Sequence, residues 1–294
     1  MSKVNNHLLV SCHENDSNRQ KKMRKFGKYI SELNSISFKE KRYFYITLSI
    51  FNSFITPPNN IKFKTDSIPK LKEDSIKNIR KIFKIRTKEV ELIHKEHSRF
   101  LDIFDNLYKL NYEDFKLFRS IYLETIIYLI SDKVILPQSN EDDTFKYMEP
   151  EIKIVDSSIR NNWRNVSSLE NDIDVGILNR SKETNNVSCF KLIECKSSLN
   201  VFAKTLVGHI SQHFEHGVVP PIPELNKVSF MIDVKNSLTG IAPNLKFLFA
   251  TYDFRANIKY LEFSKQQPSY HLDFMFNEIE IIDFYSLIDL LDAA

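Results

Sequence analysis

Asn171-Asp172-Ile173-Asp174-Val175-Gly176-Ile177-Leu178, a polar connection, then Cys189-Phe190-Lys191-Leu192-Ile193-Glu194-Cys195-Lys196 is the stretch on which the reading of this chain turns. Both ends are apolar runs of strand length, and each carries charge where a buried strand should carry none. Between them, Asn179 to Ser188 is rich in Asn, Ser, Thr, Lys and Glu, the composition of a connection rather than an element. The segment therefore predicts an antiparallel strand pair with acids near the end of one strand and on its neighbour.

The pleat fixes which side chains share a face. With a period of two, Glu194 and Lys196 project to one side of their strand and Cys195 to the other, and Asp172 and Asp174 also share a side. Pairing near those points brings two carboxylates and an ammonium together. Carboxylates this close repel, and burial makes the repulsion worse. A divalent cation relieves it, and a few hard oxygen ligands suit magnesium, which takes a substrate phosphate as a further ligand. The lysine can orient or deprotonate the attacking water, or neutralise charge developing on the phosphate. Such a constellation predicts metal-assisted phosphodiester hydrolysis. A surface hairpin with an incidental salt bridge is the plainer alternative, but it leaves charge inside apolar strands unexplained.

Asp174, a variable hairpin, then Glu194-Cys195-Lys196 resembles the active-site motif of the PD-(D/E)xK nuclease superfamily. The runs 171–175 and 192–196 are most similar to the nuclease domain of CRISPR-ancillary effectors gated by cyclic oligoadenylate. Hachiman-type defence nucleases and restriction endonucleases share the general pattern. The chain lacks the proline that the motif places before Asp174. The resemblance spans roughly Phe115 to the C-terminus. It implies an α/β fold, a restriction-endonuclease-like core whose mixed central sheet is flanked by helices, and Mg2+ as cofactor, with Mn2+ able to substitute. It also implies that an acidic residue on the helix preceding the sheet completes the metal site. Tyr122-Leu123-Glu124 stands in the matching place, on the apolar stretch 115–130, so the expected site is Glu124, Asp174, Glu194 and Lys196, with the three acids as metal ligands. Lone acids on buried helices also call for a cation or hydrogen bonds on physical grounds.

The rest of the chain sets bounds. Its 294 residues suffice for one large or two small domains, and the composition is that of an ordinary globular protein. No apolar run reaches membrane-spanning length and no signal peptide is evident, so a cytoplasmic protein without a membrane partner is expected. Cys12, Cys189 and Cys195 are expected to be reduced thiols, neither a disulfide framework nor a zinc site. Residues 1–110 carry 23 Lys and Arg against 12 Asp and Glu, and the remainder 18 against 26. This asymmetry suggests a basic, largely helical N-terminal region (1–110) of unassigned role, followed by a nuclease-like domain (111–294). Within the first, Lys21, Lys22, Arg24 and Lys25 are candidate nucleic-acid contacts, weighed evenly against a solvated helix face.

Elsewhere, residues up to 16 read as polar and unstructured, 43–55 as a strand or buried helix, and 75–110 as two helices. His94 and His97, on the second of these, lack a third metal ligand and read as exposed. Segments 134–136 and 152–155 read as strands, with 139–144 an acidic loop between them. Trp163 is given no role. A helix over 199–216 packs Phe202, Ala203, Leu206, Ile210 and Phe214; Gln212 faces solvent, and His209, His213 and His216 read as a wet flank facing nucleic acid or solvent rather than a zinc cluster. Strands are expected at 228–234, 245–252 and 279–283, then a helix at 284–291.

The leading expectation is thus a metal-dependent endonuclease acting on nucleic acid, DNA favoured over RNA, in prokaryotic antiviral defence or restriction. Its competitors are a nucleic-acid-binding or scaffold subunit with a nuclease-like core, and a transposition-type strand-cleaving subunit. The chain has no Walker-type phosphate loop, so ATP-driven movement would need a partner ATPase or helicase. A sensor subunit and a homodimer are further compatible partners.

Overall fold

The strand pair forms as the alternation of residues demands. In the computed structural model, which describes residues 6–12, 17–39, 41–53, 90–134, 141–156, 163–165, 173–217, 220–242, 244–254 and 269–292, the strands are β5 (Val175–Ser181) and β6 (Val187–Lys196). They run antiparallel, with Val175 opposite Ile193 and Leu178 opposite Phe190, and the register shifts between Asn179 and Arg180. Asn185 takes a positive φ of 55° in the connection, a conformation asparagine tolerates better than most residues.

Three more strands complete a mixed sheet in the order β2-β5-β6-β7-β8. β2 (Asp142–Met148) lies antiparallel at one edge, and β7 (Leu245–Thr251) and β8 (Ile279–Ile282) extend the other side in parallel. A second, three-stranded sheet has the order β1-β3-β4, from β1 (Asn6–Cys12), β3 (Pro150–Asp156) and β4 (Trp163–Asn165). At their junction, Gly176 faces the Pro150 ring, and a Cβ on Gly176 would stand 3.0 Å from Pro150 Cγ. That position needs a residue without a side chain because the two segments approach so closely.

Helices cover both faces of the large sheet, giving an α/β layer architecture. On one face lie α1 (Ser17–Ser37), α2 (Lys41–Ser53), α3 (Val90–Tyr108), α4 (Tyr112–Val134) and α8 (Phe284–Asp292). On the other are α5 (Leu199–His216), α6 (Pro223–Leu238) and α7 (Tyr270–Asn277). Alternation along β6 sends Ile193 and Cys195 into the first core and Phe190 and Leu192 into the second.

Packing joins residues on either side of residue 110. Phe51 of α2 meets Phe104 of α3, Phe115, Phe118 and Tyr122 of α4, and Tyr252 just past β7, with ring centroids 5.3–6.1 Å apart. β1 joins the two sides as well, by pairing with β3.

Several local readings change. Residues 6–12 form β1, with Leu8 and Val10 buried, rather than an unstructured polar end. Segment 43–53 is the buried helix of the two alternatives. Asp142 to Thr144 open β2, because an edge strand tolerates acids on its open side. Val134 ends α4 instead of opening a strand, while 135–136 lie outside the described residues. Segment 228–234 is the middle of α6. Its Val228, Phe230, Met231, Ile232 and Val234 are all buried; the helical period shows only in the wider span, where Asn226, Ser229, Asp233 and Asn236 form a polar face. Pro223 in the first turn and Glu224 beside it were the legible start signals. The strands at 152–155, 245–252 and 279–283 and the helices at 115–130, 199–216 and 284–291 form as expected, to within a few residues.

Candidate functional site

β6 ends at Lys196, and the charged residues gather at that end of the sheet. Glu194 is 2 % exposed and has both carboxylate oxygens on lysines. Lys196 Nζ lies 2.7 Å from Oε1, the same-face contact expected of residues two apart on a strand. Lys227 Nζ, from the first turns of α6, donates to Oε2 at 3.1 Å. Lys196 also lies over the Phe202 ring of α5, its Nζ 5.5 Å from the centroid.

Asp174 immediately precedes β5. Its Oδ2 accepts the Cys195 N–H at 2.6 Å, so the carboxylate of one strand is tied to the backbone between Glu194 and Lys196. The carboxyl is enclosed by protein. Burial first, then the charges of Glu194 and Glu124, push its pKa well above the ordinary carboxylate value; Lys196 and Lys227 offset only part of this. Glu124 thus acts on Asp174 from α4, on the opposite face of the sheet from Lys227. Glu124 itself is half-buried, not fully buried as an isolated acid on an apolar helix would predict. Burial disfavours the Lys196 ammonium, but Glu194 and Asp174 outweigh it and raise the Lys196 pKa above its usual value. The two carboxylates thus favour the ammonium form of Lys196.

Two contacts frame these side chains. Tyr252 donates its hydroxyl to the Arg119 carbonyl at 2.8 Å, fixing α4 against the end of β7. Asp253 accepts the Asn200 N–H at 2.7 Å and the Ser198 hydroxyl at 3.2 Å, holding the first turn of α5 beside Lys196. A cleft of about 580 Å³ opens here, walled by Lys116, Lys196, Ser198, Phe202, Asn226 and Lys227 among others. Three ammonium groups around one cleft favour an anionic ligand.

The structure brings Asp174, Glu194 and Lys196 together and puts Glu124 within electrostatic reach. No group of three or more carboxylate, imidazole or thiol side chains among the described residues forms a ready-made metal cage. The site nonetheless fits a divalent cation in charge and donor chemistry. Three carboxylates with hard oxygen donors face two ammoniums, and the repulsion raising Asp174 is what a cation would relieve. A cation held there would share Glu194 with two lysines.

Other expectations divide. Arg24 and Lys25 are exposed on α1, and Lys25 is paired with Asp114 at 2.6 Å, beside the start of the helix that carries Lys116. Lys21 and Lys22 lie on α1 with side chains outside the described residues, as do those of His94, His97 and Trp163; Asp172 lies outside them altogether. His209 is buried in the second core, whereas Gln212, His213 and His216 are exposed. The turn of α5 past Leu206 points His209 inward, so the three histidines do not form a single wet flank. Cys189 and Cys195 are free thiols, and burial raises the pKa of both; the Cys12 side chain is outside the described residues. Sequence reasoning missed Lys227 and Lys116. Lys227 was hidden by reading the following residues as a strand. Lys116 sits in the more polar first turns of its helix, and nothing local marks it.

No described helix is long and apolar enough to cross a membrane. No protein-family profile, curated protein or solved structure matches the chain.

Proposed function

We propose that this protein is a metal-dependent nuclease of the PD-(D/E)xK type that hydrolyses phosphodiester bonds in nucleic acid, DNA in preference to RNA. One observation carries the reading: the buried Glu194, paired with Lys196 two residues on, stands beside an Asp174 locked to the intervening Cys195 N–H, and its two lysine partners line a cleft. Structural ion pairs seldom join two mutually repelling buried acids, whereas catalytic sites are arranged to do so.

A divalent ion held by Asp174 and Glu194, with Glu124 completing its surroundings, would supply a Lewis acid for the phosphate and a more acidic attacking water. The chain's own groups do the remainder. The Cys195 N–H fixes the direction of the Asp174 carboxylate. Lys196, held protonated, donates to a non-bridging phosphate oxygen or orients the water, and its charge offsets that developing in the transition state. Lys116 and Lys227 draw the phosphate backbone into the cleft. Asp253 and Ser198 keep the first turn of α5 from intruding on Lys196.

The test is incubation with supercoiled plasmid, linear duplex, single-stranded DNA and RNA in Mg2+, Mn2+ or EDTA. Cleavage in Mg2+ or Mn2+ that disappears in EDTA and in the Asp174→Ala, Glu194→Ala and Lys196→Ala variants is expected. Cleavage that survives any of these three substitutions would remove the basis of the assignment.

A further inference from the structure

Glu194 is an unusual candidate metal ligand because neither of its oxygens is uncommitted. Lys196 holds one and Lys227 the other, in a position only 2 % exposed. The two lysines are not equivalent. Lys196 is fixed by the strand on which both it and Glu194 lie, and rests over the Phe202 ring. Lys227 comes from a different element, the start of α6, and approaches across the cleft wall that it helps to form. Its side chain is 14 % exposed and opens onto that cleft. It can therefore turn away from Glu194 without disturbing β6.

The charges explain why it sits there. Glu124, Asp174 and Glu194 interact in a confined space, and both Lys196 and Lys227 act to favour the ionised form of Asp174. Loss of Lys227 would remove one of the two ammoniums that favour the Asp174 charge. A divalent cation placed among the same acids would make a second ammonium redundant and would repel it at contact distance. Lys227 and the cation are alternative solutions to the same excess of negative charge.

From this, and resting on the metal-site reading above, we infer that Lys227 is a built-in counter-ion of Glu194, and that it yields Glu194 Oε2 to a divalent cation on loading. Lys227 is a positioning residue in this role. It holds Glu194 oriented before the metal arrives, and it sets how much metal is needed, because a cation on Glu194 would repel the ammonium at that distance. A released Lys227 remains on the cleft wall, where a phosphate can pair with it.

The experiment is calorimetric titration of the full-length protein with Mn2+ alone, without nucleic acid, at pH 8. Wild type, Lys227→Met, Lys227→Gln, Lys227→Arg and Glu194→Gln are compared after thermal melts establish which are folded. Lys227→Met and Lys227→Gln should bind Mn2+ roughly tenfold tighter than wild type, as expected for removing one like charge beside the ion in a partly solvated site. Lys227→Arg, which keeps the charge, should stay within about twofold of wild type. A merely structural lysine would give the opposite result, since its loss would loosen Glu194 and weaken metal binding. Equal or weaker binding in both neutral variants, with binding still lost in Glu194→Gln, would overturn the exchange role while leaving the metal site standing. Absence of Mn2+ binding in wild type and in every variant would overturn the metal site, and the exchange with it.

Discussion

The Cys195 N–H donates to Asp174 Oδ2 at 2.6 Å, joining the residue before β5 to the backbone of β6 at the midpoint of Glu194-Cys195-Lys196. The contact falls just beyond the last strand pair of the ladder, Val175 with Ile193. A side-chain oxygen there takes the place of a backbone carbonyl. This relationship makes the acid on one strand and the Glu-x-Lys on the other a single rigid unit, and it sets the environment of each charge.

Asp174 is the acid that the fold holds at a cost. Its pKa is raised above the ordinary 3.8 by burial and by Glu194 and Glu124. A folded-state carboxyl with a raised pKa binds more protons than the unfolded chain, so its contribution to stability falls as pH rises from 3.8 through the raised value. Above that value the cost is fully present. Asp174→Asn, which keeps an oxygen for the Cys195 N–H, should therefore raise the melting temperature at pH 8 in EDTA by roughly 2–4 °C per kcal/mol recovered. The advantage should vanish below about pH 4, where both states of the wild type are protonated. A variant less stable than wild type at pH 8 would mean that the hydrogen bond outweighs the repulsion.

Glu194 should behave in the opposite way. Its charge is compensated by two lysines, so Glu194→Gln leaves Lys196 and Lys227 close together without their shared counter-charge. A loss of about 1–3 kcal/mol in chemical denaturation is expected, less than for a fully enclosed pair because both lysine side chains are partly exposed. Adding Lys227→Met to this variant should restore part of the loss, and strictly additive effects would show that the two groups are not coupled.

Glu124 is the most distant of the three acids in sequence and acts from the other face of the sheet. Glu124→Gln preserves shape and removes one repelling charge. The Asp174 pKa should fall towards its ordinary value, and Mn2+ affinity should weaken by about tenfold, the worth of one carboxylate near the ion. Carboxyl titration followed by nuclear magnetic resonance, together with calorimetry, reads both. Unchanged values in the two measurements would make Glu124 an ordinary helix residue.

The basic face of α1 should contribute unequally to nucleic-acid binding. Asp114 already offsets Lys25, whereas Arg24 is exposed. Arg24→Gln should therefore reduce the slope of log K against log salt by about one, and Lys25→Gln by less. Fluorescence anisotropy on a duplex across a salt series decides it. Identical slopes in wild type and both variants would show α1 to be a solvated face only.

The site was legible in the sequence to the extent that it depends on alternation along a strand. Glu194 and Lys196 are two residues apart, so they meet whatever surrounds them, and an acid and a base embedded in Leu192-Ile193 and Val175-Gly176-Ile177-Leu178 declare themselves by their cost. The apolar helix carrying Glu124 and the hairpin connection were fixed by equally local signals, hydrophobic content in one and turn-forming residues in the other. Tertiary structure alone decided the rest. Lys227 reaches Glu194 across 33 residues, Lys116 reaches the cleft from the opposite layer, and Asp253 caps α5 from beyond β7; none of these pairings leaves a mark in its own neighbourhood. The run 228–234 is too short to reveal its own period, because the polar face of the helix, Asn226, Ser229, Asp233 and Asn236, shows only over a longer span. Phe51 likewise joins the N-terminal helices to the sheet through rings that sequence spacing cannot pair. Local sequence fixes what a backbone hydrogen bond or a two-residue repeat enforces. Contacts between distant elements depend on which layers pack together, and that follows only from burying every apolar face at once.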